Sequence, residues 1–205
     1  IHKLSGISAH TLYFQVIPPI LALGIGILTY MFVKSWKKSE SSAGWSLFFV
    51  YFGGNLGWLV TLLREGQIAG ESMFWSQQAT STLINPPFAT SLLVILLGLI
   101  FLKSYLEIGK KLYLVLAILL FGILSQVKSY AAILVIIGLF IAGISQLISK
   151  KKPTFFVIFF VVSIVSLLVY LPVNQLSSGL LVWQPFWFLE TLMGLSDRLN
   201  YPRFY

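Results

Sequence analysis

The sequence predicts an all-α fold: a polytopic integral membrane helix bundle with about six transmembrane helices and interfacial helices on its outer face. Two observations carry this. The 205 residues are 58% hydrophobic and only 10% charged, whereas soluble domains carry about 25% charged residues. The charge is also patterned. Nine of the 14 Lys and Arg residues fall in three clusters between long apolar runs: Lys34, Lys37 and Lys38; Lys103, Lys110 and Lys111; Lys150, Lys151 and Lys152. A net charge of +8 could suit nucleic acid, but these charges occupy loops rather than one polar face. Membrane lipid, not nucleic acid, is the expected partner.

A helix needs about 20 residues to cross roughly 30 Å of hydrocarbon, and six runs reach or approach that length. The first, 11–33, contains Pro18-Pro19, which predicts a kink or a late start because proline offers no N–H to the helix. The second, 45–63, carries Gly53-Gly54, small enough for a neighbouring backbone to approach. The third, 87–102, opens on prolines suited to a first helical turn. The fourth, 112–126, is short. The fifth spans 130–149, and the sixth spans 153–171, with a stop expected at Pro172.

Basic loops stay cytoplasmic, so the three lysine clusters mark the inner face. Residues 1–10, 64–86, 126–129 and 173–205 then lie outside, where Lys3, Arg64, Lys128, Arg198 and Arg203 are dispersed. Pro185 can open a helix, and the aromatic stretch after it reads as a segment lying in the interface. The reading is a single transmembrane domain, 1–205, with outer segments 64–86 and 173–205. The absence of cysteine and of Asn-X-Ser/Thr sequons suits a bacterial or archaeal plasma membrane. A start at Ile1 without Met, and an end inside a polar, aromatic segment, suggest an excerpt of a longer protein.

The most pointed local signal is Leu119-Leu120-Phe121-Gly122-Ile123-Leu124-Ser125-Gln126-Val127-Lys128-Ser129-Tyr130-Ala131-Ala132. It places a lysine in a very tight outer turn between two apolar helices. An ammonium at that depth snorkels, pairs with an acid or meets an anion. Serving phosphate as a point charge needs no bidentate geometry. His2 and His10 stand eight residues apart without clustered carboxylates, so no metal site is indicated.

That run, followed by its small-residue helix, resembles a stretch common in GT-C glycosyltransferases. Phe74-Trp75-Ser76-Gln77-Gln78, then Asn85-Pro86-Pro87-Phe88 opening a helix from the outer face, adds to the likeness. The resemblance implies a polytopic enzyme that takes its sugar from a polyprenyl-phosphate donor and passes it to an acceptor on the outer face. It also implies an essential acid in a large outer loop near the N-terminus, which is expected upstream of Ile1.

Such chemistry needs a carboxylate to deprotonate the acceptor and a cation to steady the leaving phosphate. Lys128 is the candidate for the phosphate. Glu71, beside Phe74 and Trp75, is either a substrate contact or a solvated loop carboxylate. Gln77, Gln78 and Asn85 suit sugar hydroxyls and Trp75 an apolar sugar face. Asn85-Pro86 equally makes a turn, and Gln77 can satisfy re-entering backbone. Asp197 and Arg198 form either a binding pair or a loop-solvating one. No cofactor is expected. Two other readings remain open: a transporter or flippase, and a non-catalytic assembly subunit docking through its outer aromatics.

Overall fold

The computed structural model describes residues 8–54, 78–150 and 152–174, together with Gly6, Leu59, Leu62, Leu63 and Gly66. Glu71, Trp75, Gln77, Asp197, Arg198 and the interfacial segment after Pro185 lie outside the described residues. The chain divides into two compact units, Ile1–Tyr170 and Leu171–Tyr205; of the second, only residues 171–174 are described. The elements are helical: α1 (Ala9–Lys37), α2 (Glu40–Phe52), α3 (Gln78–Ile84), α4 (Pro86–Ile108), α5 (Lys111–Val127), α6 (Ser129–Ile148) and α7 (Thr154–Asn174). Four of them, α1, α4, α6 and α7, are long and apolar enough to cross a membrane, and α5 is a shorter apolar helix. The chain is a helical membrane protein.

Helix α1 runs through Pro18-Pro19 and starts well before them. The prolines withhold two N–H donors, which would otherwise reach the carbonyls four residues earlier, at Phe14 and Gln15. Residues Leu12–Val16 answer with a π-helical turn, closed by the Ile17 N–H donating to the Leu12 carbonyl. Such a bulge rewinds the ladder locally without ending the helix. Ser8 caps the start, its Oγ accepting from the Thr11 N–H at 3.0 Å.

Helix α2 begins earlier than its apolar run because Ser39 is an N-cap: its Oγ accepts from the Ser42 N–H at 3.2 Å. Glu40 follows in the first turn, where a carboxylate complements the helix dipole. The helix closes at Phe52, with Gly53 extended, so the expected crossing 45–63 is not one unbroken helix. Two consecutive glycines are poor at propagating one.

Asn85 caps α4, with Pro86 and Pro87 in its first turn. Gly109, at φ 76°, ends it. The last helix does not stop at Pro172 but includes it, continuing to Asn174. A proline so near the end frees one carbonyl, that of Leu168. Membrane helices tolerate this where neighbouring side chains supply donors. Gln126 Nε2 on α5 does so one residue further on, at the Val169 carbonyl, 2.7 Å away.

Within the first unit, α1 and α2 form an antiparallel hairpin. The Tyr51 hydroxyl donates to the Ala22 carbonyl at 2.6 Å, and Gly26 lies against Tyr51 and Leu47. Helix α1 also packs on α4 through Gly24 and Leu93. The short α3 touches α1, α2 and α4. Helix α5 lies at the centre, packed on α4 and α6 and joined to α7 through Gly122 and Val165. The core comprises Leu102, Ala117, Phe121, Leu124, Ala131, Ala132, Leu139, Ile158 and Val162.

Small residues set the spacing. A Cβ on Gly98, Gly122 or Gly143 would overlap Phe121, Val165 or Phe156 respectively. Membrane helices associate by such close packing rather than by a hydrophobic drive between them. The opposite faces carry exposed Leu134, Ile141, Ile148, Phe160, Ile164 and Leu168, apolar surface suited to lipid.

Successive hairpins fix the sidedness of this unit. The lysine-rich turns at Gly109-Lys110 and Ser149-Lys150 share one end of the α4–α7 bundle, and the Lys128 turn lies at the other. Contacts Gly122–Val165, Ser125–Ser166 and Gln126–Val169 show α5 and α7 running parallel. Lys38 and Lys150, which end α1 and α6, adopt left-handed φ of 52° and 51°. That conformation costs about 1–2 kcal/mol for a residue with a Cβ.

Candidate functional site

Lys128 is the single extended residue (φ −160°, ψ 108°) between α5 and α6, closing one helix and opening the next. Its N–H donates to the Leu124 carbonyl at 2.8 Å, and its own carbonyl accepts from the Ala131 and Ala132 N–H groups at 3.0 and 3.4 Å. The backbone is thus fixed on both sides. No side chain caps α6. Among the described residues Lys128 is the one lysine away from the lysine-rich end of the bundle.

Depth gives the lysine its character. Helix α5 has 17 residues, about 25 Å at 1.5 Å per residue, short of the roughly 30 Å hydrocarbon thickness. Gly98 of α4 meets Phe121 of α5. Counted from that contact, Asn85 is thirteen residues away along α4 and Lys128 only seven along α5.

Lys128 is half-buried as a residue, and its Nζ lies 5.5 Å from the centre of the Tyr130 ring. A cation–π contact contributes about 0.5–1 kcal/mol at accessible sites, and it leaves the charge unneutralised. The ion pairs among the described residues are Lys34–Glu40 and Lys103–Glu107, both on the opposite face. Lys128 consequently has no carboxylate partner there.

The neighbouring α5 side chains are engaged by α7. Ser125 Oγ reaches the Gly122 and Ser166 carbonyls at 3.0 and 3.2 Å, and Gln126 holds Val169. These bonds brace the end of α5 below the lysine. Sequence reasoning highlighted this run but not the role of Tyr130 or of Gln126. The signal was present as polar residues flanking the turn, but the partners of Ser125 and Gln126 lie some forty positions away, on α7.

Asn85 is an N-cap: its Oδ1 accepts from the Phe88 N–H at 3.2 Å, and its own N–H donates to the Ser81 carbonyl at 3.1 Å. The turn function expected of Asn85-Pro86 is thus realised, with the amide oxygen committed to it. Gln78 is the first residue of α3. Asn85 and Lys128 lie at the same end of the bundle, opposite the lysine-rich turns, but are joined by no hydrogen bond. Glu71, Trp75, Gln77, Asp197 and Arg198 lie outside the described residues. Among the described residues no group of three His, Cys, Asp or Glu side chains could hold a metal ion.

Chemically, a lysine with a fixed backbone and no carboxylate partner among the described residues can bind one anionic group. Comparisons with known protein families, with characterised proteins and with solved structures give no match to this chain.

Proposed function

We propose that this chain is the membrane-embedded part of a GT-C-like glycosyltransferase. It would move a sugar from a polyprenyl-phosphate donor to an acceptor on the outer membrane face. The observation that carries the reading is Lys128: a half-buried lysine in a one-residue turn, without a carboxylate partner among the described residues, at the end opposite the lysine clusters. Lipid phosphate reaches a protein from the side, at interface depth, and α5 is short enough to set the ammonium there. The cation steadies the phosphate as it leaves. A carboxylate must also deprotonate the acceptor hydroxyl. Glu71, Gln77, Gln78 and Trp75 serve donor or acceptor contacts, with Asp197 and Arg198 as a further binding pair.

A second reading, a lipid-linked-sugar transporter or flippase, is favoured by one feature: the interruption of α2 at Gly53. Discontinuous helices are common where transporters bind substrate. Membranes containing the full-length protein, supplied with radiolabelled polyprenyl-phosphate sugars, separate the two. Label passing to a new product supports the transferase. Donor crossing the bilayer with the sugar still on its lipid supports transport. Neither event across a broad donor panel rejects both.

A further inference from the structure

The lysine-rich turns share one construction. Helices α1, α4 and α6 each have a left-handed residue just past their end: Lys38 (φ 52°) and Gly109 (φ 76°) at the C-cap itself, and Lys150 (φ 51°) one residue beyond the Ser149 cap. Glycine enters that conformation without steric penalty, and Gly109 shows that it closes such a turn. At the other two turns a lysine stands there instead. These lysines are the only non-glycine residues at positive φ among the described residues. Strained backbone is retained where the surrounding structure or the side chain's work requires it.

Pairing points the same way. The face carries nine lysines and two glutamates in sequence, and both glutamates are taken, Glu40 by Lys34 and Glu107 by Lys103. Lys37, Lys38, Lys110, Lys111, Lys150 and Lys152 make no ion pair among the described residues. Depth is the third observation. Each turn directly follows a helix long and apolar enough to span a membrane. Trp36, 60% exposed with Lys37 Nζ 4.8 Å from its ring centre, has the amphipathic character of an interface anchor.

We propose that these turns form a docking surface for anionic phospholipid headgroups, with Lys38 and Lys150 as its fixed points. Orientation alone requires only a surplus of basic residues in the loops. Left-handed caps do more, because they fix where each side chain leaves the backbone. The occupant follows from charge and depth: unpaired cations at the ends of spanning helices meet lipid phosphates before any soluble anion. The surface lies opposite Lys128, so it stands or falls independently of sugar transfer.

The test uses the full-length protein in nanodiscs of phosphatidylcholine alone or mixed with phosphatidylglycerol, reading the apparent unfolding midpoint. The anionic lipid should raise the midpoint by about 4 °C, and added salt should shrink the increment. Soluble glycerol phosphate added to the phosphatidylcholine discs should not reproduce it. The double substitution Lys38→Gly, Lys150→Gly suits the left-handed turns and should fold. It should match or exceed the wild type in phosphatidylcholine yet lose at least half of the increment, whereas Lys38→Arg, Lys150→Arg should keep it. A midpoint indifferent to phosphatidylglycerol, an increment retained by the glycine variant, or an equal increment from glycerol phosphate would overturn the proposal.

Discussion

At the scale of single residues, two charged side chains have opposite circumstances. Lys128 has a fixed backbone and an aromatic neighbour but no acid partner among the described residues. If it steadies a leaving phosphate, Lys128→Ala should lower turnover by about 10²–10³-fold, the usual loss when one charge-stabilising donor is removed. Lys128→Arg should recover part of it, since the charge returns with different geometry. Unchanged turnover in the alanine variant would remove the lysine from the mechanism.

Glu40 is in the reverse situation, bonded to Lys34 at 2.7 Å. That hydrogen bond, and then the lysine's charge, hold its carboxyl below the usual carboxylate range. A lowered folded-state value means that the pair stabilises the fold above the ordinary carboxylate range. The stabilisation is lost as pH falls through the lowered value. Wild type should therefore exceed Glu40→Gln in unfolding midpoint at neutral pH, and the two should converge in acid. The group is exposed, so the difference is small and high salt should compress it further. A difference that grows on acidification would contradict the pairing.

At the scale of elements, close helix contacts at glycines hold the α4–α7 bundle together. Gly98→Ala would drive a methyl group into the buried Phe121 ring, and overpacking of this kind costs about 1–3 kcal/mol. Combining it with Phe121→Leu should restore part of the loss, because the smaller side chain makes room. Strictly additive losses would mean the two positions do not meet.

The helices themselves were legible in the sequence, because apolar length and lysine punctuation are properties of contiguous segments. What was not legible depends on partners distant in the chain or on backbone detail. Pro18-Pro19 was read as a kink or a late start, but the helix begins before the prolines and a π turn in residues 12–16, which no composition announces, compensates for them. Pro172 looked like a stop, yet α7 passes it, with α5 supplying a donor nearby. Gly53-Gly54 was read as a packing site within a continuous helix, whereas α2 closes at Phe52. The candidate site was legible only in part. Lys128 stood out by its spacing, but its one-residue turn and its contact with the Tyr130 ring are backbone and side-chain details that spacing does not announce.

At the scale of the whole chain, charge is sorted by position along the sequence. Nine lysines and two glutamates occupy the gaps on one side, so nearly all of the net +8 charge belongs there. Helix α6 joins the two settings, running from the Lys128 turn at Ser129 to the Ser149-Lys150 turn. The functional proposal requires that the first of these face outward and the second inward.

The 205 residues contain no cysteine, so single thiols introduced here report their own location once any cysteine elsewhere in the full-length protein is replaced by serine. Ser129→Cys and Ser149→Cys lie at the two ends of α6, both exposed, and an impermeant maleimide can be applied to intact cells making the full-length protein. Labelling of Ser129→Cys in intact cells, with Ser149→Cys labelled only after permeabilisation, is the predicted result. Labelling of Ser149→Cys in intact cells, or of both positions from the same side, would contradict the orientation on which the outer-face site depends.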